Sequence, residues 1–239
     1  MKRAFKILLK ITLTLISVAV AAFGILYAVY NKPLPSGQSG QEADALAQKM
    51  LTAINYEAYE NTRYLEWSFA GGAHQYKWDK EKNEVVLEWD DYRAQLMLNN
   101  PRKSILFEKN IEVLGNSKSK LIEKAISYFN NDSFWLIAPF KVFDKGTTRS
   151  LVKLEDGSNA LLITYTSGGT TPGDSYLWKL GPNGFPESYR MWVDIIPIGG
   201  LEATWYDWQV MESGVFLPVL HKLGPINLDM GKVRGYNSL

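Results

Sequence analysis

The hydrophobic pattern of the chain begins with a long apolar run near the N-terminus. Residues 11–30, ITLTLISVAVAAFGILYAVY, contain no charged side chain, and the four charged residues before them are all basic. A helix of about 20 residues is long enough to cross the hydrocarbon core of a bilayer. Because basic residues mark the cytoplasmic end of such helices, the pattern predicts one transmembrane anchor within residues 1–32, with everything after Lys32 exported.

A cleaved signal peptide is the alternative interpretation of this run. Ala19-Val20-Ala21 has the small residues of a cleavage site after a short apolar stretch. Cleavage there would leave the apolar sequence AFGILYAVY at the mature N-terminus, which favours an uncleaved anchor. We therefore expect a single-pass protein of a bacterial inner membrane with its C-terminal domain in the periplasm, or, after cleavage, a periplasmic protein. Residues 33–40 predict a short linker, rich in Pro, Gly and Ser.

The exported part starts with helical periodicity and then changes to strand periodicity. From Gln41 to about Tyr59, apolar residues recur at intervals of three and four, which predicts a helix. The interval then becomes two, as expected for antiparallel strands with one apolar face. Asp90-Asp91 predicts a tight hairpin turn between two of them. The predicted strands are residues 63–69, 74–80, 84–89, 92–98 and 104–110.

A second helical segment interrupts the strands. Residues 117–129 have helical periodicity, and the apolar stretch NDSFWLIAPFKVFD (131–144) predicts a short helix and a turn, because Pro139 interrupts it. Strand patterns then resume, at residues 148–155, 159–166, 175–180, 187–195, 201–208, 215–221 and 226–233. This order predicts an α+β domain, residues 41–239, with one large curved antiparallel sheet and covering helices.

Composition and charge narrow the chemistry. The chain has 26 basic and 25 acidic residues, and four of the basic residues precede the apolar run. The exported part therefore has fewer basic than acidic residues, which argues against a nucleic-acid partner. The absence of cysteine excludes disulfides, thiol nucleophiles and thiolate metal sites. His74 and His221 alone are a poor basis for a metal site. No GxSxG, HExxH or GxGxxG motif occurs, so we expect neither an enzyme nor a cofactor or metal.

Tryptophan residues on the apolar face of the predicted sheet supply the candidate binding site. A large apolar face must be covered, and residues 131–144 have the apolar composition to cover it. Arg149 is placed at the rim as a partner for an anionic head group, with a salt bridge to a surface acid as the alternative. The sequence allows three interpretations of residues 131–144: a plug in a solid core, a lid over a cavity, or a segment that inserts into the membrane. The predicted ligand-binding residues are Trp67, Trp78, Trp89, Phe134, Trp135, Phe140, Trp178 and Trp192.

Two further stretches carry candidate chemistry. Residues 192–208 combine aromatic rings with carboxylates, which suits stacking on a sugar or, with a suitable acid pair, glycoside hydrolysis. An ordinary hairpin with alternating Trp residues is the alternative. SGGTTPGD (167–174) predicts either an anion-binding nest of backbone N–H groups or a flexible loop at the mouth of the fold.

The order of the elements over roughly residues 41–233 resembles the bacterial lipoprotein-carrier group, LolA and LolB. That resemblance implies an unclosed antiparallel barrel with helices over its open side and a cavity that takes acyl chains. Those carriers are soluble or lipid-anchored, whereas this chain has no cysteine and a predicted helical anchor. A second resemblance, to uncharacterised, singly anchored bacterial proteins, implies no activity. It rests on NKPLPSGQSGQEADALAQKM, WDDY, NDSFWLIAPFKVFDKGTTRSLV, TYTSGGTTPGD and MWVDIIPIGGLEATWYDW.

Two functions of different classes remain open on the sequence. In the first, the exported domain binds a lipid, an acyl chain or a lipidated protein in an aromatic-lined trough, and its anchor keeps it on the membrane. In the second, the domain is a non-catalytic scaffold with a solid core that meets an envelope protein or a glycan through residues 192–208.

Overall fold

The structure, a computed structural model, describes residues 2–167 and 171–238. The helices are α1 (Lys2–Tyr30), α2 (Gln41–Ala53), α3 (Tyr56–Asn61) and α4 (Asn116–Ile137). The strands are β1 (Tyr64–Phe69), β2 (His74–Asp79), β3 (Glu84–Trp89), β4 (Tyr92–Met97), β5 (Ile105–Glu108), β6 (Ile111–Glu112), β7 (Thr147–Lys153), β8 (Asn159–Tyr165), β9 (Ser175–Leu180), β10 (Pro186–Trp192), β11 (Leu201–Val210), β12 (Phe216–Leu223), β13 (Ile226–Asp229) and β14 (Arg234–Tyr236).

Helix α1 contains the apolar run of the sequence. Its stretch Phe5–Tyr30 is long and apolar enough to span a membrane or to act as a signal anchor, and none of its most apolar window is buried against the rest of the chain. Such an apolar, uncovered helix near the N-terminus is typical of a membrane-spanning anchor and of a signal sequence alike.

The strands form two antiparallel seven-stranded sheets rather than the single large sheet that the sequence predicted. The first sheet has the order β14-β1-β2-β3-β4-β5-β6, and the second has the order β13-β12-β11-β10-β9-β8-β7. The sheets meet where the chain passes from β13 to β14. There the Ser68 N–H donates to the Met230 carbonyl (2.9 Å), and the Met230 N–H donates to that of Val219 (3.0 Å). Among the described residues β6 and β7 do not pair, so the arrangement stays unclosed.

Burial along the first sheet confirms the period-two pattern. The inward residues of β1 and β3, among them Leu65, Trp67 and Trp89, are buried in the main core. The β3–β4 turn consists of two residues, and Asp90 adopts the left-handed conformation (φ 48°) that two-residue hairpins favour.

Helix α4 contacts both sheets. The Phe129 ring lies 5.3 Å from that of Trp78 in the first sheet, and the Trp135 ring lies 5.7 Å from that of Tyr189 in the second. The helix is longer than the predicted range 117–129, because it continues through residues 131–137. A 3-10 turn, Ala138–Lys141, follows it, since Pro139 has no backbone N–H with which to continue the helix.

The predicted helix from Gln41 to about Tyr59 is divided in two. Asn55 adopts the left-handed conformation (φ 57°, ψ 62°), and its side chain accepts a hydrogen bond from the Ala58 N–H. This local bond ends one helix and caps the next.

The predicted linker, residues 33–40, lies on the domain. Gln38 and Leu151 exchange two backbone hydrogen bonds of 2.9 and 2.8 Å, and the Ser39 and Ser150 hydroxyls are 2.9 Å apart. The linker thereby pairs with β7, the outer strand of the second sheet.

Candidate functional site

A cavity of about 510 Å³ lies between α4 and the second sheet. Its walls are residues 127–137, the inner faces of β8, β9 and β10, and parts of the loops 167–174 and 193–196, and Trp78 of the first sheet also lines it. Exposed lining residues, including Lys145 and Ile195, mark its opening.

Three tyrosines from adjacent strands form the sheet-side wall. Tyr176 of β9 lies beside Tyr165 of β8 and Tyr189 of β10, with ring centroids 5.8 and 5.1 Å away. Phe134 of α4 packs across from this wall, 4.7 Å from Tyr176. None of the three tyrosines was predicted as a site residue. Tyr189 lies directly opposite Trp178 on the neighbouring strand. Because paired residues share a face of the sheet, the prediction that Trp178 faces inward also predicts that Tyr189 does.

Two hydrogen-bond donors in the cavity wall have no partner. The Tyr165 hydroxyl and the Trp78 indole N–H are buried and form no hydrogen bond among the described residues. Burial raises the pKa of Tyr165 well above 10, so its hydroxyl stays protonated. A buried unsatisfied donor costs about 1–3 kcal/mol. Both side chains line the cavity, although the two polar atoms are covered by neighbouring atoms, and a ligand oxygen that reaches either donor would supply its missing partner.

A buried carboxylate supports the loop beside the cavity. Asp174 accepts hydrogen bonds from the Thr171 hydroxyl (2.5 Å), the Asp194 N–H (3.1 Å) and the Tyr176 hydroxyl (3.4 Å). These bonds connect the loop after β8 to the loop after β10. Burial, followed by the charge of Asp174, raises the pKa of Tyr176, so this hydroxyl too stays protonated.

The opening of the cavity carries two cationic side chains. Lys141 forms an ion pair with Asp144, three residues later. Lys145 is exposed and forms no ion pair with the acidic residues that the structure describes. The opening therefore offers one unpaired ammonium group next to apolar walls.

The structure divides the predicted ligand-binding residues into three groups. Trp78, Phe134 and Trp135 line the cavity. Trp192 lies on the opposite face of the second sheet, where it packs on a small cluster with Val152 and Leu177. The remaining four are buried in the main core and do not line the cavity: Trp67, Trp89, Phe140 and Trp178.

Residues 131–144 thus combine two of the three interpretations of this segment. Phe140 stacks on Tyr59 (4.2 Å between ring centroids) as part of the solid core. Phe134 and Trp135, in the last turn of α4 before it, line the cavity. The segment is a core plug at one end and a cavity wall at the other.

Arg149 lies away from the cavity lining. Its guanidinium forms an ion pair with Asp44 of α2, donates to the Val142 carbonyl (3.0 Å), and lies 4.2 Å from the Phe143 ring centroid. These contacts correspond to the alternative of a salt bridge to an acidic residue. Lys145 instead lies at the cavity opening, the position that the sequence predicts for Arg149.

A second polar cluster connects α4 to the first sheet. One oxygen of buried Asp132 accepts hydrogen bonds from His74 Nδ1 and the Tyr76 hydroxyl, both at 2.6 Å, and the other accepts from Asn131 (2.9 Å). No local pattern of the sequence shows the two partners of Asp132 on β2. Among the described residues no hydroxyl nucleophile is hydrogen-bonded to His74. The contacts support a structural role, which is to hold α4 over the cavity.

The aromatic residues of 192–208 are mostly covered. Trp205 is buried against Trp178, and the Trp208 indole donates to the Pro186 carbonyl (3.1 Å), which leaves Tyr206 as the exposed ring of β11. Glu202 is held by Ser188 and Arg190. Of the predicted nest 167–174, residues 168–170 lie outside the described residues. In the part of the chain that the structure describes, no three His, Asp or Glu side chains form a metal site.

The fold and the site define an α+β protein with two unclosed antiparallel sheets, an N-terminal apolar helix and an aromatic-lined cavity. No protein-family model matches the chain, and no curated protein matches it either. Among solved structures, a DUF1329 family protein from Desulfovibrio piger ATCC 29098 is similar, with 9% sequence identity and a TM-score of 0.43. The match covers 84% of this chain and 95% of that one. At this TM-score the similarity assigns neither a fold family nor a function.

Proposed function

We propose that the chain is a membrane-anchored periplasmic protein that binds a lipid or another acylated molecule in the cavity between α4 and the second sheet. The observation that carries this proposal is the cavity itself, which combines aromatic walls with two unpartnered donors. Its volume lies within the range of about 300–1,000 Å³ that is typical of small-molecule sites. The unclosed sheets with helices over them also agree with the resemblance to the lipoprotein carriers.

Each part of the cavity has a role in this proposal. Phe134, Trp135 and the tyrosine wall contact the hydrocarbon part, because burial of apolar surface is the main source of affinity. Tyr165 and Trp78 donate hydrogen bonds to carbonyl oxygens of an ester or amide. Lys145 at the opening attracts an anionic head group, and it acts there as a point charge.

Native mass spectrometry of the gently solubilised full chain tests the proposal. We expect adducts with lipid masses that disappear on organic extraction. Met191→Trp, which enlarges a buried residue of the cavity wall, should abolish them, whereas Val210→Trp at an exposed position should not. Thermal unfolding of both variants controls for misfolding. An adduct-free chain that also fails to bind a fluorescent fatty acid would contradict the proposal and favour the scaffold function.

A further inference from the structure

The loop between β10 and β11 presents apolar side chains to solvent. We call residues 193–200, VDIIPIGG, the mouth loop, because Val193, Ile195 and Ile196 line the cavity near its opening. Ile195 is 69% exposed, one of the highest values for an apolar residue outside α1. Asp194 is the only charged residue of the loop.

The end of α1 is attached to this same loop. The Lys32 N–H donates to the Gly199 carbonyl (2.9 Å), and the Gly199 N–H donates to Asn31 Oδ1 (2.8 Å). The Trp192 indole N–H, next to the loop, donates to the Lys32 carbonyl (2.8 Å). Three hydrogen bonds therefore fix the first residues after α1 against the mouth loop.

The glycines of the loop permit this close approach. A Cβ atom on Gly199 would lie 2.6 Å from Trp192 Cδ1 and 3.1 Å from the Lys32 carbonyl oxygen. Gly200 has φ +79°, and a Cβ atom there would lie 2.9 Å from Lys32 Cβ. Neither position accepts a side chain without displacing the residues that follow α1.

This attachment determines where the mouth loop lies relative to a membrane. Helix α1 is apolar up to Tyr30, and its exposed Tyr27 and Tyr30 are residues that concentrate at membrane–water interfaces. Lys32 is two residues further, which is at most about 7 Å of extended chain. The hydrogen bonds to Lys32 therefore place Gly199, and with it the mouth loop, at the surface of any bilayer that α1 spans.

We propose that the mouth loop docks on the bilayer that α1 spans, with Ile195 inserted among the lipids, so that the cavity exchanges its ligand directly with that bilayer. This inference rests on the proposed function for the exchange step and on the attachment of α1 for the docking step. The ammonium group of Lys145 at the cavity opening suits the phosphate of an anionic lipid head group in that bilayer. The partner of this surface is thus a lipid bilayer and not a protein.

Site-specific labelling of the full chain tests the docking, and the lack of native cysteine makes this direct. Ile195→Cys is labelled with the environment-sensitive fluorophore NBD in vesicles of phosphatidylcholine and phosphatidylglycerol. Val210→Cys is the matched control, because Val210 is similarly exposed (61%) but lies at the other end of β11. Nine residues of strand put it about 30 Å from the start of β11 next to the loop.

We expect a blue-shifted emission at position 195 that lipids with a spin label near the head group quench, and neither effect at position 210. Equal, unquenched emission at both positions would overturn the docking. A fluorescent fatty acid added to the same vesicles separates the two proposals. Binding of the fatty acid without quenching at position 195 overturns the docking and leaves the cavity function in place. Quenching without binding overturns the cavity function and supports the docking alone.

Discussion

Removal of the Asp132 carboxylate is the most direct test of how α4 is held over the cavity. Asp132→Ala leaves the Tyr76 hydroxyl and the His74 ring nitrogen without their shared acceptor, in a region where Asp132 itself is only 2% exposed. Each buried donor that loses its partner costs about 1–3 kcal/mol, and more when the partner is charged. The two losses together give an expected decrease of about 3–5 kcal/mol in the free energy of unfolding.

Asp132→Asn separates the charge from the hydrogen bonds. An amide oxygen at the position of Oδ2 still accepts from Tyr76 and His74, but neutral hydrogen bonds are about half as strong as charge-assisted ones. We therefore expect a smaller decrease, of about 1–2 kcal/mol, which gives the stability order Asp, Asn, Ala.

Urea unfolding of the full chain in detergent, followed by fluorescence, measures these differences. Asp91→Ala is the control, because Asp91 pairs with Lys109 on an exposed turn, where ion pairs contribute little. The fatty-acid affinity of Asp132→Ala, measured below the unfolding transition, should fall as well, since α4 forms one wall of the cavity. A loss of stability below about 1 kcal/mol for Asp132→Ala would refute the reasoning, because it is less than the cost of one orphaned donor.

Three further outcomes are expected. Burial lowers the pKa of His221 from 6.5 to about 4. The unfolded chain therefore takes up a proton first as the pH falls, and the free energy of unfolding should drop by up to about 3 kcal/mol between pH 6.5 and 4. His221→Gln should remove that drop in urea titrations at the two pH values. Tyr165→Phe should leave the stability of the ligand-free protein unchanged or raise it, because its hydroxyl has no partner there. The same variant should weaken fatty-acid binding by about 2–13-fold, the equivalent of one hydrogen bond. Tyr236→Phe is the control, which should lower stability without weakening binding. Gly199→Ala should speed limited proteolysis within residues 33–40, and Gly24→Ala, which meets no neighbour, should not.

The local patterns of the sequence were sufficient for most of the strands. Alternation of apolar residues in β1 to β4 requires only that one face of each strand is buried, and Asp90-Asp91 is a turn signal that acts between adjacent residues. The division into two sheets depends instead on where the chain crosses at residues 230–233. That crossing is a tertiary feature, because it includes a hydrogen bond between Met230 and Ser68 of β1, which are far apart in sequence.

The extent of α4 shows how tertiary contacts decide whether a polar residue caps a helix or lies within one. Asn131, Asp132 and Ser133 look like the start of a new helix, because short polar side chains cap N-termini. In the structure the helix passes through them without a break. Asp132 is occupied by Tyr76 and His74, so its side chain does not compete for the backbone of its own helix. The partner that decides its role comes from β2, and no local pattern indicates it.

Trp192 shows how α1 and the cavity are connected through one strand. Tyr189 and Met191 of β10 point into the main core, so the period of two places Trp192 on the outer face and not with the ligand-binding residues among which the sequence analysis predicted it. On that outer face its indole holds Lys32, the second residue after α1. Val193, the next residue along, lines the cavity. Consecutive side chains thus contact Lys32, just after α1, on one side and the cavity on the other. A displacement of α1 relative to the domain should therefore act on the end of β10 where the cavity opens, so that under the proposed function the position of α1 would affect ligand binding directly.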